Sequence, residues 1–165
     1  MLGRTHFVCG VAVGAHLGVI TGHPFMGAAL GGIGGLMPDI DHPGSILGRA
    51  LPFISIPISI LFPHRTITHT VWFAAAVALL PLLFIALCSY SGLIIRLDYY
   101  WAGAYLMAGS LSHLVLDAPT NSGIAPFWPI PLRIKGPFTT GDPLVELPLS
   151  AAMVILAVKT PGILG

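Results

Sequence analysis

The chain has 165 residues, 55% of them hydrophobic and 8% charged, with a net charge of +1. An average soluble domain carries about 25% charged residues, so an ordinary water-exposed domain is excluded and helices that share their core with lipid are expected. No Lys/Arg cluster offers a nucleic-acid surface, and two cysteines in apolar segments, Cys9 and Cys88, cannot outline a disulfide framework.

Taken in chain order, apolar segments cover 7–21, 24–37, 71–91, 99–117 and 144–158. Arg4 before the first also fits a cleavable leader, but a second apolar segment follows at once, so the first is read as a helix that stays. Gly10, Gly14, Gly18 and Gly22 recur every four residues, as do Gly27, Gly31 and Gly35. Stripes of small residues let helix backbones approach closely in lipid. The expectation is a glycine-zipper hairpin at the amino end, turning at "GHP" (22–24). Segment 45–62 is apolar but interrupted by Arg49, Pro52 and Pro57, and is expected to lie in the interface or re-enter from it. Segments 71–91 and 99–117 are long enough to cross a hydrocarbon core of about 30 Å, the first with a kink at Pro81. Stretch 118–143, rich in Pro and Gly, is a long loop.

The fold class is therefore all-α and integral to a membrane: about five transmembrane helices forming one domain over 1–165. With five spans, one side carries Arg4, Arg49, Arg65, Arg133 and Lys135, the other only Arg96 and Lys159. The cation bias puts the first side in the cytoplasm, with the protein multi-pass in the plasma (inner) membrane.

On that topology the polar residues converge. His6 opens the first helix; Asp39, Asp41 and His42 close the second. His64 and His69 open the third, and His113 and Asp117 close the fourth. Asp142 and Glu146 open the fifth at the same end, whereas His16, His23 and Asp98 lie elsewhere. His113 and Asp117 are four apart and share a helical face. Asp39 and Asp41, between Pro38 and Pro43, sit in an extended or turned segment. Mixed imidazole and carboxylate donors suit Zn²⁺, Mn²⁺ or Fe²⁺ rather than Ca²⁺. Six to eight candidates exceed what one catalytic zinc needs, so two divalent ions, zinc or manganese, are expected. A solvated Asp-x-Asp loop and a helix-end His–Asp pair are the bland alternatives for the individual motifs, but their convergence at one end favours metal.

The motifs "PDIDHPGSILG", "HRTITHT", "GSLSHLVLD" and "GIAPFWP", in this order, resemble the YdjM-like family of membrane-bound proteins classed as metal-dependent hydrolases. The resemblance runs from His6 to about Glu146 and implies functional positions at His6, Asp39, Asp41, His42, His64, Arg65, His69, His113, Asp117 and Glu146. The family's glycine after the His-Arg pair is Thr66 here, and its Thr-Pro-x-Gly is "TNSG" (120–123); the spacing from Gly141 to Glu146 is one residue long.

The implied chemistry is hydrolysis by a metal-activated water. Arg65 would clamp an anionic group and Glu146 would serve as general base. His42 would be a ligand or would orient one of the aspartates. A site at the membrane surface suits an amphiphilic substrate such as a lipid phosphoester. The competing readings are a metal-ion transporter or sensor, and a structural membrane protein whose metal ties helices together.

Overall fold

The computed structural model describes residues 1–90 and 99–163 and, among them, is all-helical with no strand. Arg96 and Asp98 lie outside the described residues. Helix α1 (Gly3–Thr21) ends where Gly22 takes a left-handed φ of 80°, and Pro24 opens α2 (Pro24–Leu36). The expected turn at 22–24 is therefore present, and Gly22 belongs to the turn rather than to the packing stripe. A 3-10 turn (Met37–Asp41) follows, then α3 (Ile46–Ala50) and α4 (Pro52–Leu61). A second 3-10 turn (Ile67–His69) leads into α5 (Val71–Val77), which Thr70 caps by accepting from Phe73 N–H at 3.1 Å. After α6 (Leu80–Tyr90) come α7 (Tyr99–Asp117) and α8 (Pro143–Val158).

The centre of the molecule is glycine backbone. Gly10, Gly14 and Gly18 of α1 face Gly27 and Gly31 of α2 and the turn before it so closely that an added Cβ has nowhere to go. At Gly14 it would fall on the Gly27 carbonyl and 2.8 Å from Gly31 Cα; at Gly18 it would stand 2.6 Å from the His23 carbonyl oxygen. Helix α7 joins through Gly109, whose Cβ would meet the Gly31 carbonyl and stand 2.8 Å from Gly35 N. Helix α8 packs on α1, and α5 and α6 pack on α7. Much of what is buried is small or polar, such as Ala12, Ala15, Ala74 and Ala102 with Thr5, His6, Ser110 and His113, alongside a few larger groups led by Tyr105. Large apolar side chains such as Phe53, Ile60, Leu61 and Leu144 point outward, inverting the usual arrangement in water.

Among the described residues one continuous helical stretch, Val71–Tyr90, is both long and apolar enough to cross a membrane. Its regular α-helix is interrupted at Ala78–Leu79, between α5 and α6, just before Pro81, which has no N–H for the carbonyl four residues earlier. The other four expected spans are helices too, but α2 and α8 have only 13 and 16 residues. Helices α1 and α7 have 19 residues each but carry polar groups such as Arg4, His6 and His16, or Ser112, His113 and Asp117. Segment 45–62 is helical as the pair α3 and α4, and its apolar residues Phe53, Ile56 and Ile60 are exposed.

Gly31→Ala is expected to cost about 1–3 kcal/mol through overpacking, because the α1 backbone at Gly10 and Gly14 blocks the methyl. The outward Ala29→Leu should stay within about 0.5 kcal/mol of wild type. Denaturant unfolding in detergent micelles checks both.

Candidate metal centre

Close helix packing sets the site. Gly35 lies against the His6 carbonyl oxygen, 2.5 Å from where its Cβ would be, so α1 and α2 bring His6 beside the 3-10 turn. Helix α7, held by Gly109, brings up His113 and Asp117 from one face. The His6 and His113 rings stack with centroids 3.5 Å apart at 12°. His6 Nε2 is 3.2 Å from Asp117 Oδ1 but out of hydrogen-bond alignment, and both ring nitrogens of this fully buried histidine lack a hydrogen-bond partner.

The 3-10 turn at Met37–Asp41 replaces the extended segment that was one of the two expectations there. At three residues per turn, Asp39 and Asp41 project in different directions. Asp39 Oδ1 lies 3.6 Å from both His69 Nε2 and His113 Nε2. Asp41 turns the other way. Its Oδ1 is 2.8 Å from His64 Nδ1, and its Oδ2 accepts from Arg65 N–H (3.1 Å) and the Thr68 hydroxyl (2.8 Å). Asp41 thereby fixes the loop that delivers His69.

Hydrogen-bond partners assign the tautomers of the two central histidines. The Gly35 carbonyl only accepts, so His113 Nδ1 carries the hydrogen across their 2.8 Å contact. Thr68 spends its proton on Asp41, so its lone pair accepts from His69 Nδ1 at 3.1 Å. In these tautomers neither Nε2 carries a hydrogen, and the two face each other 3.2 Å apart. Two lone pairs so placed can take a cation between them. The triangle His69 Nε2, His113 Nε2, Asp39 Oδ1 has edges of 3.2, 3.6 and 3.6 Å. Tetrahedral donors at 2.0–2.1 Å from a zinc-sized ion would be separated by about 3.4 Å. Asp117 Oδ2 stands 3.7 and 3.8 Å from the same two nitrogens. The donor set therefore fits a divalent ion.

Three overlapping groups can hold metal: His6, His113 and Asp117; Asp39, His69 and His113; and Asp39, Asp41 and His64. The first two are largely buried and the third is more open. Cations of the protein approach the same carboxylate. Arg65 Nη2 lies 2.9 Å from Asp117 Oδ2, Nη1 donates to Thr120 Oγ1 at 3.1 Å, and the Met1 amine pairs with Asp117 Oδ1. Burial raises the Asp39 and Asp41 carboxyls, but it is outweighed. The neighbouring imidazoles at Asp39, and His64 with Thr68 at Asp41, hold both below the ordinary carboxylate value. Both are thus ready as anionic ligands at neutral pH. A polar cleft of about 270 Å³ opens over this end, lined by Asp39, His42, His64, Arg65 and the backbone around Gly44.

Two expected residues are placed differently. Glu146 is buried away from the three groups, where its carboxylate accepts from Leu2 N–H (3.0 and 3.1 Å), Gly141 N–H and the Thr5 hydroxyl (both 2.6 Å). With those donors it clasps the chain start to α8; it has no spare oxygen directed at a water. His42 joins none of the groups. Its Nδ1 accepts from Gly44 N–H at 2.9 Å, and its ring meets that of His64 edge-on at 5.2 Å. His16 lies apart, bonded to the Ala12 carbonyl and Thr160. Sequence reasoning passed over Thr68 and Thr120, although both stand inside the quoted motifs.

A family model described as YdjM inner membrane protein matches residues 1–164. YvsG of Bacillus subtilis (strain 168), described as an uncharacterized protein, is 35% identical over 138 residues, 83% of this chain and 79% of its own length. Inner membrane protein YdjM of Escherichia coli (strain K12) is 38% identical over 102 residues, as is its counterpart in Shigella flexneri. Each of those alignments covers 62% of this chain and 48% of the relative, so the match spans about half of those proteins. No solved structure matches.

Titration of purified, chelator-treated protein with Zn²⁺ or Mn²⁺, read by calorimetry and elemental analysis, should show binding. His113→Ala and His69→Ala should each weaken it by at least about 100-fold, the upper end of what losing a mere supporting hydrogen bond costs. His42→Ala should leave it near wild type.

Proposed function

The chain belongs to the YdjM family of inner membrane proteins, and from that premise we propose that it is an inner-membrane, metal-dependent hydrolase acting on a phosphoester presented at the lipid surface. The observation that carries this reading is the pair of bare, buried Nε2 atoms of His69 and His113 facing each other at 3.2 Å, flanked by Asp39 and Asp117 beneath a polar cleft. In the tautomers set by Gly35 and Thr68 the outer nitrogens are hydrogen-bonded and the inner pair offers each other only lone pairs.

In this proposal two divalent ions, zinc or manganese, are held: one by Asp39, His69, His113 and Asp117 with His6 alongside, the other by Asp39, Asp41 and His64. Bound there, they would supply a Lewis acid and a water acidified toward neutrality. The chain's own residues do the rest. Gly35 and Thr68 fix which nitrogen each histidine offers, and Asp41 fixes the His64–Arg65 loop against the cleft. Arg65, at the cleft wall and already beside a carboxylate, is the residue that would grip the anionic oxygens of a substrate as charge develops.

The same proposal takes α1, α2, 71–90, α7 and α8 as five crossings, with the cation-rich end and the site on the cytoplasmic side. Donors gathered at helix ends on one side support hydrolysis over transport, for which a site near mid-membrane is expected.

Metal-loaded protein in proteoliposomes should cleave a lipid phosphoester. Arg65→Ala should lower kcat/KM about 10²–10³-fold with metal content unchanged. Failure to turn over any lipid phosphoester while cleaving a peptide or amide would overturn the substrate class. Metal uptake into sealed vesicles would establish transport instead.

A further inference from the structure

Loop 124–138 is tied down at its base and apolar on its outer side. Ile124, 2% exposed, pairs with Ile134 through two backbone hydrogen bonds of 2.9 Å, and Gly136 and Phe138 N–H donate to the carbonyls of Thr120 and Pro119. On this fixed frame Phe127, Trp128, Ile130, Leu132, Ile134 and Phe138 are all 39–58% exposed. An ordered loop in water would turn such groups inward, and a contiguous exposed apolar surface marks an interaction. Arg133 and Lys135 stand exposed among them. Arg133 donates to the Ser122 carbonyl, and neither pairs with a carboxylate among the described residues.

What covers this surface follows from where it sits. Val71 begins the one described helix long and apolar enough to cross a membrane, and its N–H donates to the Pro126 carbonyl of this loop at 2.9 Å. Trp72, 59% exposed on the first turn of that helix, lines one shallow hollow with Trp128 and Pro129. The loop is thus hydrogen-bonded to the first residue of that helix. Tryptophan beside lysine or arginine is the side-chain combination that settles at headgroup level.

We infer that loop 124–138 docks on the bilayer surface and selects anionic lipid. Phe127, Trp128, Ile130 and Leu132 enter the upper acyl region, and Arg133 and Lys135 meet headgroup phosphates. The inference rests on the membrane location and not on hydrolytic activity.

Proteoliposomes test it with the variant Trp72→Phe/Trp101→Phe, which keeps Trp128, and with Trp101→Phe/Trp128→Phe, which keeps Trp72 as the membrane control. In phosphatidylglycerol–phosphatidylcholine vesicles, Trp128 should be quenched by lipid brominated high on the acyl chain and shielded from aqueous acrylamide. That quenching should fall in phosphatidylcholine alone, and in Arg133→Gln/Lys135→Gln it should no longer depend on the lipid. Quenching of Trp72 with Trp128 open to acrylamide would overturn the docking and leave the membrane location standing. Protection of Trp128 from both quenchers would mean that protein, such as a second copy, covers the loop, and would also overturn it. If neither tryptophan meets lipid, both readings fall. Circular dichroism checks that the variants fold. Should they not, a nitroxide at Ile130→Cys in a Cys88→Ser background gives the same depth measurement.

Discussion

The distance between the backbones of α1, α2 and α7 controls everything else in the molecule. Gly10, Gly14, Gly27, Gly31 and Gly109 let three helices meet carbonyl to Cα, with no side chain between. Lipid gives little hydrophobic drive for helix association, so close van der Waals contact supplies it. His6, Asp39, His113 and Asp117 stand at the ends of these helices. Their separations of a few ångströms exist because the helices below them are nearly touching. A methyl group near the middle of the hairpin would act on the donor atoms as a lever.

Close approach also raises an electrostatic cost that the site must meet. Asp41, His69, His113 and Asp117 are each almost wholly removed from solvent. Burying carboxylates together is tolerable only with compensating hydrogen bonds or cations. Asp41 is satisfied by His64, Thr68 and the Arg65 amide. Asp117 draws Arg65 and the Met1 amine. The two histidines turn their inner nitrogens toward each other at 3.2 Å, in a cluster that can hold a metal ion.

Periodicity made the hairpin legible. Gly10, Gly14 and Gly18 against Gly27 and Gly31 could be read off as a four-residue repeat, and the turn at 22–24 with them. The convergence of Asp39, His69, His113 and Asp117 followed from counting apolar segments, and the i, i+4 spacing placed His113 and Asp117 on one face. What was not legible depends on partners remote in sequence. Glu146 looks like a site acid, yet its neighbours Leu2, Thr5 and Gly141 make it a clasp. Gly109 belongs to no repeat, and its role appears only when α7 meets α2. His42 directly follows the ligand candidate Asp41 but is turned away by the short Gly44 loop. Membrane crossings are equally hard to read: α2 is apolar throughout, yet only 13 residues long.

That shortness has a consequence of its own. A helix of 13 residues spans about 20 Å, against a hydrocarbon layer of about 30 Å. If the α1–α2 hairpin is a crossing, as proposed, a bilayer fitted around it would have to thin locally or let its headgroups dip. The 3-10 turn bearing Asp39 and Asp41 closes that short helix, so the dip would form at the donor atoms. Water and polar headgroups would then reach a depth that a flat membrane would keep dry. The glycine hairpin would in this way shape the lipid around it as well as the protein.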